Sequence, residues 1–173
     1  LRRGWVFVMT LSWSRHQFLA HVFEQTIDVW LECHRQACEY FGGVPGRIVL
    51  DNLKAGIAQS CFDDPVSTRA YREFCEHYSF SVEPCHVRSP QEKGKVENGV
   101  HYYKRNFLAG RAYTNAALDI HAANRDVMVW VETIAGVRIH GTTRKQPLPR
   151  FLSSEQSTLR PLPATPYERV AWK

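Results

Sequence analysis

Two acids stand where carboxylate chemistry could be built: Asp51 and Glu97. Asp51 follows the apolar run Arg47-Ile-Val-Leu50, and a side chain at the end of a buried strand emerges at a sheet edge, where α/β folds bind their ligands. Glu97 sits within Pro90-Gln-Glu-Lys-Gly-Lys-Val-Glu97-Asn98, about a turn into a predicted helix. A strand-end carboxylate and a helix carboxylate can converge on a divalent cation. Magnesium takes few protein carboxylates, keeps waters and completes an octahedron with phosphate oxygens. Two such ions about 4 Å apart activate an attacking oxygen and stabilise a leaving one in phosphoryl transfer. Plainer readings compete with this. Asp51-Asn52 can be a turn whose side chains bond nearby backbone, and Glu97 can pair with Lys93 or His101 on a solvated helix face, worth only tenths of a kcal/mol.

The elements that must hold these acids follow from periodicity. Residues 5–11 are a short apolar, β-branched and aromatic run that reads as a buried strand, with residues 12–14 as a turn and 17–23 as its antiparallel partner. Thr26 caps a helix to about residue 40, with Ile27, Trp30, Leu31, His34, Ala37, Cys38 and Phe41 on one face; Gly42-Gly43 ends it. Residues 47–50 form a strand ending at Asp51, and a short strand is expected near 56–58. A helix over 68–78 turns Tyr71, Phe74, Cys75 and Tyr78 inward, and a strand follows over 81–85. Pro90 precedes a helix over 91–108 with the stripe Val96, Val100, Tyr103 and Phe107, which puts Glu97, His101 and Lys104 together beside that stripe. A further helix fits 116–139, with Val127, Trp130, Val131, Ile134 and Val137 inward and Gly141 as its stop. Pro147, Pro149, Pro161, Pro163 and Pro166 are expected to break any helix beyond it. The division expected is a core over 1–145 and a proline-rich basic tail, or the start of a small β module, over 146–173. The group Trp5, Trp13 and Trp30 reads as core.

Composition narrows the class. The 173 residues carry 22 Lys plus Arg against 17 Asp plus Glu, a net charge of +5 that is unevenly spread. Residues 86–111 hold six basic and two acidic groups, and residues 138–173 hold seven and two, so the remainder is acidic. Two basic stretches suggest a polyanionic partner, because each neutralised phosphate releases counterions. No apolar run approaches the roughly 18 residues that span a membrane. Five cysteines without CxxC spacing fit free thiols in a reducing compartment, so the chain is expected to be cytoplasmic. The pairs Cys33-His34, Cys75 with His77, and Cys85-His86 are too scattered for a structural zinc set. Asp63-Asp64 before Pro65 reads as a turn.

The segment Asp51-Asn52-Leu53-Lys54, then Lys93-Gly-Lys-Val-Glu97-Asn98, then His140-Gly-Thr-Thr143 with Pro147 resembles the IstA-type insertion-sequence transposases, within the DDE transposase and retroviral-integrase superfamily. The resemblance implies an α/β, ribonuclease H-like mixed sheet flanked by helices. It implies Asp51 and Glu97 as catalytic, metal-binding residues for Mg2+ or Mn2+. It also implies metal-dependent DNA strand cleavage and transfer, with DNA of element ends and target as partner, a homo-oligomer on that DNA and an ATPase helper protein. Lys54, Arg88, Lys93, Lys95, Asn98, Lys104 and Arg105 are the expected DNA contacts. In the family a first Asp lies on the preceding strand, whereas here nothing acidic precedes Glu24. The chain is therefore expected to lack that first strand and to be impaired in catalysis. The alternatives are a non-catalytic nucleic-acid-binding remnant and a metal-dependent nuclease of the same fold.

Overall fold

The computed structural model describes residues 4–50, 69–84, 90–109 and 119–168, without the side chains of residues 84 and 90–96. Along the chain run β1 (Trp5–Thr10), β2 (Gln17–Val22), α1 (Ile27–Phe41), β3 (Arg47–Leu50), α2 (Arg69–Tyr78), β4 (Ser81–Pro84), α3 (Pro90–Tyr103), α4 (Ile120–Trp130) and α5 (Pro147–Arg150). Each of the last three helices continues into one π-helical turn, at Lys104–Leu108, Val131–Ala135 and Phe151–Glu155. The chain forms two compact units, residues 1–24 with 89–157, and residues 25–88 with 158–173. Asp51, Lys54, the strand expected near 56–58, Asp63, Asp64 and Arg88 lie outside the described residues. Among the described residues no helix is long and apolar enough to cross a membrane.

In the first unit β1 and β2 pair antiparallel, Trp5 opposite Val22 and Thr10 opposite Gln17. The alternation of side chains across a strand then decides what each face meets. Val6 and Val8 of β1 and Leu19 of β2 turn to α3 and α4, joining a core of Tyr103, Phe107, Val127, Trp130, Val131 and Ala135. Phe7 and Phe18 meet edge-on on the other face, ring centroids 6.3 Å apart. β1 is less buried than its composition suggests: Phe7 alone of its residues is fully covered. The Asn124 side chain of α4 meets β2 from outside. Its Oδ1 accepts the His21 backbone N–H at 2.5 Å, and its Nδ2 donates to the His21 carbonyl at 3.1 Å.

The π-helical turns correct two expectations. The inward stripe of α4 holds at Val127, Trp130 and Val131, but Ala135 is buried where Ile134 was expected, and Ile134 and Val137 are exposed. Hydrogen bonds five residues apart, such as Gly136 N–H to the Val131 carbonyl at 2.6 Å, widen the turn and move the inward position on by one residue. Pro147 and Pro149 also do not break the chain. They open α5, because the first helical positions need no N–H partner. Phe151, in the turn that follows, is buried with its ring stacked on His16 at 5.2 Å.

The second unit begins as its sequence suggests. Thr26 Oγ1 accepts the Val29 N–H, and Gly42 closes α1 with φ 72°, the left-handed conformation that glycine takes without a Cβ penalty. α1 buries Leu31, His34, Ala37, Cys38 and Phe41. α2 supplies Tyr71, Phe74 and Tyr78, with the Phe74 and Tyr78 rings stacked 4.4 Å apart. β3 and β4 pair in parallel from Arg47 opposite Ser81 to Leu50 opposite Pro84, joined through α2 as a parallel pair requires. The last described residues pack on this unit. Val44 and Arg160 exchange backbone hydrogen bonds of 2.8 and 2.9 Å, and the Tyr167 hydroxyl donates to Glu73 at 3.1 Å.

Candidate active site

Glu97 is exposed on α3, and the residue that positions it is Gly99. A Cβ at Gly99 would overlap Gln17 Nε2 and lie 3.4 Å from Thr10 Oγ1, so the helix backbone rests directly on the last residue pair of the hairpin. Gln17 is buried there, and its Nε2 donates to Thr10 Oγ1 at 2.9 Å. One turn further on, Tyr103 is buried and its hydroxyl lies 2.5 Å from His21 Nε2. Two contacts a turn apart fix both the height and the rotation of α3, and with them the direction in which the Glu97 Cα–Cβ bond leaves the helix.

His21 completes this support. Asn124 Nδ2 is committed as a donor to the His21 carbonyl, so Asn124 Oδ1, 3.2 Å from His21 Nδ1, must accept a hydrogen bond from that ring N–H. Nε2 is then the lone-pair nitrogen and accepts from the Tyr103 hydroxyl. Burial pushes the His21 pKa down, against an opposing contribution from the Asn124 hydrogen bond, in agreement with a neutral ring. The network is a rigid joint between β2, α3 and α4.

The helical face expected to carry Glu97, His101 and Lys104 is exposed at all three, and Asn98 and Arg105 are exposed as well. The structure thus brings Glu97, Asn98, Lys104 and Arg105 onto one open helix surface. The side chains of Lys93 and Lys95, like Asp51, Lys54 and Arg88, lie outside what is described. A carboxylate is the hard oxygen donor that magnesium prefers, so Glu97 suits one ligand position. Among the described residues no group of three His, Cys, Asp or Glu side chains could hold an ion. The described cysteines Cys33, Cys38 and Cys75 are free thiols, and burial pushes Cys33 and Cys38 up to about 12 and Cys75 to about 11. They are protonated and inert as nucleophiles at neutral pH.

One expectation fails outright and another feature was not foreseen. Trp13 is 56% exposed at the hairpin tip rather than in a core. The Arg150 guanidinium lies 4.1 Å from its ring centroid, and that of Arg138 lies 3.5 Å from the Tyr102 ring. Nothing in the sequence links positions so far apart.

The Integrase core domain family model matches residues 2–90. The chain belongs to the integrase core family. It is 34% identical over 95% of its length to a Bacteroides fragilis protein named transposase for insertion sequence element IS21-like, of which it covers 31%. It is 30% identical over 93% of its length to the transposase for insertion sequence element IS21 of Pseudomonas aeruginosa, of which it covers 40%. The integrase core described here thus spans less than half the length of these curated relatives. Among solved structures it is similar to the catalytic core domain of BIV integrase, with a TM-score of 0.63, 18% identity and coverage of 88% of each chain. That likeness shows the fold, a ribonuclease H-like mixed α/β architecture, in agreement with the family resemblance.

Proposed function

We propose that this integrase core cleaves and joins DNA strands in the transposition of an insertion sequence, with Asp51 and Glu97 as its metal-binding catalytic residues for Mg2+ or Mn2+. The observation that carries the reading is the exposed Glu97 carboxylate, set by the Gly99 contact on the hairpin, in a chain of the integrase core family with relatives named transposases. A divalent cation held by the two carboxylates would lend its charge to the reacting phosphate. The chain's own residues do the rest. α3 holds the Glu97 backbone at a fixed height above the hairpin, from which the carboxylate reaches the substrate. Lys104 and Arg105, with Lys54, Arg88, Lys93 and Lys95, neutralise backbone phosphates and set the register of the DNA. Asn98 reaches the same strand as a hydrogen-bonding group. The DNA 3′-hydroxyl forms one P–O bond as another breaks in line, and no bond to the protein forms. The same reading makes element ends and target DNA the substrates, acted on in the cytoplasm by a homo-oligomer with an ATPase helper.

The test is joining of labelled element-end DNA by a transposase carrying this segment, in Mg2+ or Mn2+. Asp51→Asn and Glu97→Gln are each expected to lower joining by about a thousandfold or more, the scale lost when preorganised electrostatic groups are removed. DNA binding should stay within about twofold. Joining that survives Asp51→Asn overturns the reading, and cleavage without joining replaces it with a nuclease.

A further inference from the structure

The chain after α4 turns back on itself as a closed loop. The Leu148 N–H donates to the Gly136 carbonyl at 2.8 Å, Gln146 Nε2 to the Val137 carbonyl at 2.6 Å, and the His140 N–H to the Lys145 carbonyl at 3.0 Å. These bonds tie the two limbs at three successive heights and leave residues 141–144 as the tip. Within the tip the Arg144 N–H donates to the His140 carbonyl at 2.8 Å. Arg144 takes φ 54° there, a left-handed conformation that a non-glycine residue adopts at a cost. Its side chain gains no burial in return: Thr142, Arg144 and Lys145 are all exposed.

His140 holds the tip from within. Its Nδ1 accepts the Thr142 N–H at 3.2 Å and the Thr143 N–H at 3.4 Å, as an Asn or Asp oxygen does in an Asx turn. Nδ1 can accept only while it carries no proton. Burial foremost, then the charges of Arg138, Arg15 and Arg150, keep the His140 pKa below the usual histidine value, in agreement with such a ring. The loop is therefore shaped before any partner arrives, which limits the ordering entropy lost on binding.

The charge on the tip is not answered nearby. Residues 133–154 contain Arg138, Arg144, Lys145 and Arg150 and no acidic residue, with Glu132 and Glu155 flanking the stretch. Arg35, Arg47, Arg69 and Arg125 each have a carboxylate within ion-pair distance. Among the described residues neither Arg144 nor Lys145 forms an ion pair. Two adjacent, solvent-facing cations are thus carried on a loop of fixed shape.

We propose that the 140–145 loop is a preformed contact for the DNA backbone, in which Arg144 and Lys145 meet phosphates, the Thr142 hydroxyl donates beside them, and His140 is the positioning residue. The Arg144 fork fits two phosphate oxygens, and Lys145 adds a compact point charge. The ligand is nucleic acid rather than an acidic protein, because the stretch is of one sign throughout. DNA matches that with one negative charge per about 1.7 Å of its axis. The inference rests on the DNA reading above and adds a contact on an element other than α3, within the first unit.

The test is fluorescence anisotropy of the full chain with a labelled duplex, over about 50 to 300 mM NaCl. Arg144→Asn and Lys145→Gln are each expected to weaken binding about tenfold and to lower the salt slope by about one. Asparagine tolerates the left-handed backbone, and Lys145→Gln serves if Arg144→Asn does not fold. Arg125→Gln on α4 removes an equal charge from an arginine 3.9 Å from Asp119 and should change the slope far less. An equal change there would reduce the effect to net charge and overturn the contact. His140→Ala keeps both cations and uncaps the tip, so affinity should fall about threefold with the slope kept. His140→Asn should restore it, because its Oδ1 can accept the same N–H groups. Variants that match the wild-type chain in affinity and slope overturn the contact, as does a wild-type chain that binds no duplex. Loss of polyglutamate binding in the loop variants with duplex binding intact also overturns it, and makes the partner an acidic protein. Failure of the functional reading looks different: loop variants that weaken binding, alongside joining that ignores Glu97→Gln, leave the contact standing without that reading.

Discussion

His16 and His34 are buried, one in each unit, and burial pushes both imidazoles down to about 4. His34 Nδ1 donates to the Trp30 carbonyl at 2.9 Å, which suits a neutral ring. The unfolded chain protonates each ring near pH 6.5 while the folded chain resists until about pH 4. The unfolded state therefore binds more protons across that window, and stability falls as the pH drops through it. Between pH 6.5 and 5 each histidine is expected to remove about 2 kcal/mol, with little change from pH 7 to 8. Urea unfolding at stepped pH checks this, and a flat profile down to pH 5 would show that the rings are not held neutral. Glu97 differs at this scale, because it is exposed and the role proposed for it depends on its position.

That position is a property of elements. Gly99 lets α3 lie on Gln17 and Thr10, so Gly99→Ala sets two effects against each other. Alanine in a helix interior gains about 1 kcal/mol over glycine. Its methyl group, however, occupies the place of Gln17 Nε2, and a buried amide driven from its partner costs about 1 to 3 kcal/mol. Net destabilisation of about 1 kcal/mol is expected, and adding Gln17→Ala should recover it as a coupling of about 1 kcal/mol or more in a double-mutant cycle. Additive losses in urea unfolding would count against the contact. The same elements show what the sequence could and could not reveal. α1 was legible because its cap, its stripe and its glycine stop are local signals, and β3 because four residues state it. The exposure of Ile134 was hidden, since a π-helical turn breaks the period on which the inference relied. Trp13 was hidden because hydrophobicity reports a preference for burial and says nothing of a turn that holds the ring outside. The face of Glu97 was legible from helical spacing, but the stacking of Arg150 on Trp13 was not, because only the tertiary fold brings those residues together.

At the scale of the whole molecule, a hairpin of two strands is marginal without covering elements, and here helices α3 and α4 supply them on one face. Along its outer edge a strand also presents N–H and C=O groups that any passing chain could adopt. The Asn124 amide answers both such groups of His21, one as acceptor and one as donor, just as a neighbouring backbone would. The side chain is in effect a single-residue counterfeit of the next strand. Asn124→Ala should therefore do more than cost stability. It should leave β2 able to recruit a second molecule, seen as concentration-dependent light scattering and thioflavin binding at temperatures where the variant is still folded. A guard against self-polymerisation thus sits on the same helix that steadies the joint with β2 and α3, so solubility and the placement of the helix that carries Glu97 both depend on one amide.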